Sequence, residues 1–381
     1  MTSLRDAVKR FFLHVKPLPA GIYHFQSPPT TPSPYRLHLR VEPDGNGLLI
    51  INASTILHLN PTATEYAYHI VKKSPAEVVV HQISSRYRVS KTRVLHDFQE
   101  LMDRIQTLIE TPDLDPEMYL DFARMPPASS ALSAPYRIDC ALTYRLPSGI
   151  DPAFAPMART KRELSTLEWL GILDKAWSAG IPHVVFTGGE PTLRDDLPDL
   201  LIHAEENGQV TGLLTDGLIF NRPEKLSRLL QTGLDHVMLM LAADQPEAWN
   251  ALSCLKKADI YVSVHQTLTL HNVLEVGDTI RKLSQYDINS LSLTTNDVSL
   301  QNSLIDLRNL AASMNISLTW DLPVPYSAFN PVSIEIQEDN STQENYPTSL
   351  YIEPDGDVLP AQGVELVLGN LLTDPWDKIW R

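Results

Sequence analysis

Residues 186–193 read Phe-Thr-Gly-Gly-Glu-Pro-Thr-Leu, and this is the stretch whose residue types could do chemistry. Two adjacent glycines let a backbone come close to a ligand and take up positive φ angles. Glu190 supplies a fixed acceptor, and Pro191 stiffens the exit. An apolar run, 181–186, comes before the turn and an amphipathic helical pattern, 196–207, follows it, so the glycines stand where a strand hands over to a helix. A strand, a glycine turn and an acid in that order predict a small-ligand site for a cationic amine. The same letters also suit an ordinary strand-to-helix turn.

The elements that must position this turn alternate between strand and helix. Strand patterns fall at 136–143, 181–186, 209–215, 236–241, 261–266 and 290–294. Helical patterns fall at 161–179, 196–207, 224–232, 246–255, 273–285 and 300–314. Strand-helix units with short connections predict a parallel sheet, curled if it is a partial barrel. Ligands then bind at the carboxyl ends of the strands. The polar segments expected there are 187–190, 215–217, 242–244, 266–272 and 294–297, so Asp216 and Asp244 join Glu190 as candidate contacts. Gln266 and Asn272, and the bases His265 and His271, share that mouth but fit a structural role equally well.

Ahead of these units lies a different pattern. Residues 35–41 and 48–52 read as strands joined across Asp44-Gly45-Asn46-Gly47, with Thr55–Leu59 as a third. Helical patterns follow at 62–72, 76–86 and 91–110, the last two opened by Ser74-Pro75 and Ser90. A small sheet followed by three helices is a domain of winged-helix type. Residues 111–135 shift to Pro, Asp, Ala and Ser and read as a linker. The divisions expected are therefore 1–110, a linker at 111–135, a barrel at 136–320 and an extension at 321–381.

A formal net charge of −15 argues against nucleic-acid and anionic-membrane partners. No apolar run reaches the roughly 18 to 20 residues that span a bilayer. Residues 1–15 pattern as a short amphipathic helix without a cleavage site, so a cytoplasmic location is expected. Cys140 and Cys254 lie far apart and read as separate buried thiols.

Gly188-Gly189-Glu190-Pro191, with its flanks GIPHVVFTGGEPTLRDDLPDLL and GQVTGLLTDG, resembles the radical SAM superfamily. That resemblance implies a partial (β/α)6 barrel of the TIM type in which Gly188, Gly189 and Glu190 hold the amino group of S-adenosylmethionine. The run LHLRVEPDGNGLLIINASTILHLNPTATEYA resembles a PqqD-like domain, also called a RiPP recognition element. It implies a partner, the leader segment of a precursor peptide, added as a strand at the Thr55–Leu59 edge. Residues 346–380 resemble the C-terminal extension of peptide-modifying radical SAM enzymes, where a cysteine commonly stands at the position of Ala361; Asp355-Gly356 marks a hairpin there, and Trp376 and Trp380 are expected to anchor it to the barrel as core.

One departure bears on the chemistry. The family holds a four-iron cluster on Cys-x3-Cys-x2-Cys after the first strand. The corresponding positions here are Leu146, Ile150 and Ala153, with Phe154 at the aromatic that follows. A chain with two cysteines cannot supply three thiolates. The expectation is a degenerate member: S-adenosylmethionine as cofactor, no iron-sulfur cluster, no catalytic residue, and an active modifying enzyme as a further partner. Non-radical use of the cofactor, as in methyl transfer, and a scaffold with an empty pocket are the alternatives.

Overall fold

The computed structural model describes residues 18–28, 30–111, 132–258, 260–295, 297–319, 322–326 and 348–380. The helix expected at 1–15 and most of the expected linker lie outside them. The chain divides into two compact units, Met1–Leu132 and Ser133–Arg381.

The first unit has an antiparallel sheet in the order β1 (Gly21–Gln26), β2 (Arg36–Val41), β3 (Gly47–Ile51), β4 (Thr55–Leu59). The β2–β3 turn forms where expected: Asp44 accepts from Asn46 N–H at 2.9 Å, and Gly45 takes φ +90°. Alternate residues Leu37, Leu39 and Val41 reach the core, as period-two patterning requires. Against them pack α1 (Pro61–Val71), α2 (Ala76–Tyr87) and α3 (Lys91–Glu110), burying Ala67, Ile83 and Phe98. Asn60 caps α1 by accepting from Ala63 N–H at 2.9 Å, and Pro61 fills the first helical position, where no N–H is needed. The unanticipated strand is β1, which pairs with β2 and leaves β4 at the far end of the sheet order.

In the second unit, six parallel strands run β5 (Arg137–Thr143), β6 (His183–Gly188), β7 (Val210–Thr215), β8 (His236–Met240), β9 (Tyr261–Leu268) and β10 (Ser290–Thr295), each beside its chain neighbour. Helices α4 (Thr166–Ala179), α5 (Leu197–Asn207), α6 (Pro223–Leu230), α7 (Pro246–Lys256), α8 (Val276–Leu283) and α9 (Gln301–Ser313) alternate with them, giving the partial (β/α)6 barrel. Helix α4 starts at Thr166 rather than 161 because Ser165 and Glu168 form a capping box: the Glu168 carboxylate accepts from Ser165 N–H at 2.9 Å. Ile138, Cys140 and Leu142 alternate into one core with Trp169, Ile172 and Phe186. Ala141 lies in a separate cluster with Tyr144, Tyr326 and Tyr351.

The sheet continues past β5. Strand β11 (Ser349–Ile352) pairs with β5 in parallel, and β12 (Asp357–Leu359) and β13 (Gly369–Asn370) follow antiparallel, making a nine-stranded sheet. The expected hairpin turns at Gly356, φ +89°. Trp376, in α10 (Trp376–Ile379), and Trp380 were expected as core. Both are half-buried, stacked 6.2 Å apart against the core's edge, and Trp376 Nε1 donates to Ser133 O at 3.0 Å.

Candidate functional site

Strand β6 ends in the glycine turn, and its neighbour β5 explains both glycines. Gly188 has φ +130°, and a Cβ there would strike the Thr143 carbonyl oxygen; one on Gly189 would strike that of Arg145. Gly189 N–H donates to Thr143 O at 2.7 Å, and Glu190 N–H donates to Arg145 O at 2.9 Å. The close approach that these glycines permit is therefore to the chain's own backbone, which leaves β5 and β6 locked at their carboxyl ends. Gly188 O in turn accepts from Tyr326 N–H at 2.9 Å. Pro191 opens a 3-10 turn, Pro191–Leu193.

Glu190 is 3% exposed. Its Oε1 accepts from Thr192 N–H at 2.9 Å and from the hydroxyls of Thr192 at 2.5 Å and Thr215 at 2.8 Å. Its Oε2 accepts from Asp216 N–H at 2.9 Å. The carboxylate thus ties the exit of β6 to the exit of β7. Burial, and then the Asp216 carboxylate, push Glu190 up to about 8, against the pull of its donors. Burial also raises Asp216, whose Oδ1 accepts from Leu218 N–H at 2.9 Å. Glu190 is buried and Asp216 half-buried, and two neighbouring acids favour a cation beside them over an anion.

Both acids line a cavity of about 170 Å³ at the carboxyl ends of the strands. Gly189 lines it too, while Leu146, Ile150, Leu218, Met240 and Ala242 give it an apolar wall, and Pro325 and Tyr326 close one side. Of the expected contacts, Gly189, Glu190 and Asp216 come together here. Asp244 does not: it is exposed, and Gln245 lines the cavity in its place. His265 is fully buried between the hydroxyls of Ser292 and Thr267, each at 3.0 Å, and burial lowers it to about 3. Gln266 donates to Leu241 O, Asn272 donates to Thr267 O at 2.9 Å, and His271 is exposed. These four serve the frame or the surface rather than the cavity. Pro325 and Tyr326 were not anticipated, because nothing in their local pattern signals an approach to residue 188.

The stretch after β5 supplies the other wall. Leu146 and Ile150 stand at cavity positions, while Ala153 is exposed in a 3-10 turn, Pro152–Phe154, where its N–H donates to Asp151 at 2.9 Å. Aliphatic side chains carry no lone pair, so these residues do not fit an iron-sulfur cluster. Cys140 is 0% exposed in the helix-facing core, and burial pushes its thiol well up, away from the thiolate a metal needs. Cys254 lies on α7, half-buried. Ala361 is exposed.

Residues 140–298 match the family model described as the radical SAM superfamily. The chain is 29% identical over 283 residues to a PqqA peptide cyclase of Streptomyces rochei, covering 66% of this chain and 77% of that protein. It is 29% identical over 160 residues to one of Granulibacter bethesdensis, covering 38% and 42% respectively. Streptococcus suis SuiB bound to S-adenosylmethionine has the same fold, with a TM-score of 0.58 at 14% identity over 94% of this chain and 88% of that one. SuiB bound to its precursor peptide SuiA gives a TM-score of 0.57 at 15% identity, over 90% and 87%. The chain carries a radical SAM domain, homologous to PqqA peptide cyclases and folded like SuiB.

Proposed function

We propose that this chain is a radical SAM-fold pseudoenzyme that binds a precursor peptide and an adenosyl ligand, and assists an active modifying enzyme. The observation that carries the reading is the wall after β5: Leu146 and Ile150 face the cavity beside Glu190 where cluster-binding thiolates are required. In this reading Gly189, Glu190 and Asp216 contact the ligand, and Gly188 and Pro191 set the turn that presents them. Residues 1–110 form the PqqD-like recognition domain, 136–320 the barrel and 321–381 its extension. The kinship with PqqA peptide cyclases and the likeness to a peptide-bound SuiB support a peptide partner. Strand β4, Thr55–Leu59, stands at an end of its sheet among the described residues, and in this reading that edge takes the added peptide strand. The reading places all of this in the cytoplasm.

Calorimetry with S-adenosylmethionine and hydrogen exchange with a candidate precursor peptide test the two binding claims. Heat on ligand addition and slowed exchange along β4 are expected. Silence in both supports the empty scaffold, and turnover of the cofactor to S-adenosylhomocysteine supports methyl transfer.

A further inference from the structure

We infer that the cavity prefers a cation that carries no carboxylate, an amine or sulfonium on an apolar or nucleoside body, over a ligand ending in a free α-amino acid. The inference rests on the cavity being a ligand site and concerns what that site selects.

The argument is one of charge. Among the described residues that line the cavity, Glu190 and Asp216 are the carboxylic acids, and there is no lysine, arginine or histidine to face a carboxylate. Neighbouring cations are committed elsewhere. Arg194 holds Asp196 at 2.7 Å and the carbonyls of Leu142 and Leu164 at 3.2 and 2.9 Å. Arg145 lies outside the lining, 3.2 Å from Glu163. A carboxylate entering the cavity would give up its water for the neutral groups of Ser148 and Gln245, beside two acids. An ammonium there would pair with those acids and draw them into their ionised forms. Leu146, Ile150 and Met240 accept the apolar remainder. The aliphatic side chains of Leu146 and Ile150 cannot hold a metal ion that would answer a carboxylate there.

Titration calorimetry on the full chain tests this with three probes that share an adenosine body. They are S-adenosylmethionine, its decarboxylated analogue, and neutral 5′-methylthioadenosine. The decarboxylated compound is expected to bind at least tenfold more tightly than S-adenosylmethionine, and more tightly than methylthioadenosine. Asp216→Asn, which keeps an oxygen for Leu218 N–H, should narrow the first gap several-fold, with circular dichroism reporting that the variant is folded. Equal or tighter binding of S-adenosylmethionine by the native chain overturns the inference and leaves the ligand site standing. Binding by none of the three removes the ligand site, and the inference with it.

Discussion

The exits of β5 and β6 face one cavity and are built on opposite chemistry. At β6 polar groups tie the strand ends together: Gly189 N–H locks to Thr143 O and Glu190 N–H to Arg145 O, and the Glu190 carboxylate gathers four donors from the β6 and β7 exits. At β5 the chain presents Leu146 and Ile150. One wall of the cavity thus carries two acids, and the other carries aliphatic side chains that cannot ligate a metal. The glycine turn also has a structural duty of its own, since it holds the ends of β5 and β6 together.

The largest expected effect comes from breaking the β6 side. Gly189→Ala would drive a methyl group into Arg145 O and should cost about 3 kcal/mol. All six tryptophans lie within Ser133–Arg381, so tryptophan fluorescence in urea reads this unit alone. Glu190→Ala, which strands the buried donors of Thr192, Thr215 and Asp216, should cost about 2 kcal/mol in the same assay. A loss under half a kilocalorie would mean that the network does not hold the exits.

Titration sharpens the same contrast. Glu190 stands at about 8 in the folded chain against an ordinary 4.5. Below about 4.5 both folded and unfolded forms hold the proton; above it the unfolded form releases it first. Stability should therefore fall as pH rises from about 4.5 to 8. Glu190→Gln should flatten that slope, and an unchanged slope would assign it to other groups. The smallest effect belongs to the β5 side: Leu146 is half-buried, and Leu146→Ala should cost under about 1.5 kcal/mol. A larger cost would make that wall a core element rather than a cavity lining.

Much of the frame was legible because its signals are local. Periodicity placed the six barrel strands and their helices, and Asp44-Gly45-Asn46-Gly47 placed the β2–β3 turn. The strand β1 was not legible, since it meets β2 across a Pro-rich stretch without a turn signal. Nor was the pairing of β11 with β5, whose partners lie far apart in the chain. At the candidate site, Glu190 and Asp216 meet at the cavity because both follow strands at the carboxyl end. Asp244 follows a strand as well but is exposed, because strand order gives a residue's end of the sheet and not the direction of its side chain. The glycines stand at the strand's end as expected, and the close approach the structure shows there is to the backbone of Thr143 and Arg145.

Metal content tests the central claim most directly. The protein, produced with ample iron and sulfide and purified without oxygen, should be colourless, with iron well below one atom per chain and no cluster signal by Mössbauer spectroscopy. A stoichiometric four-iron cluster in the isolated chain would contradict the account.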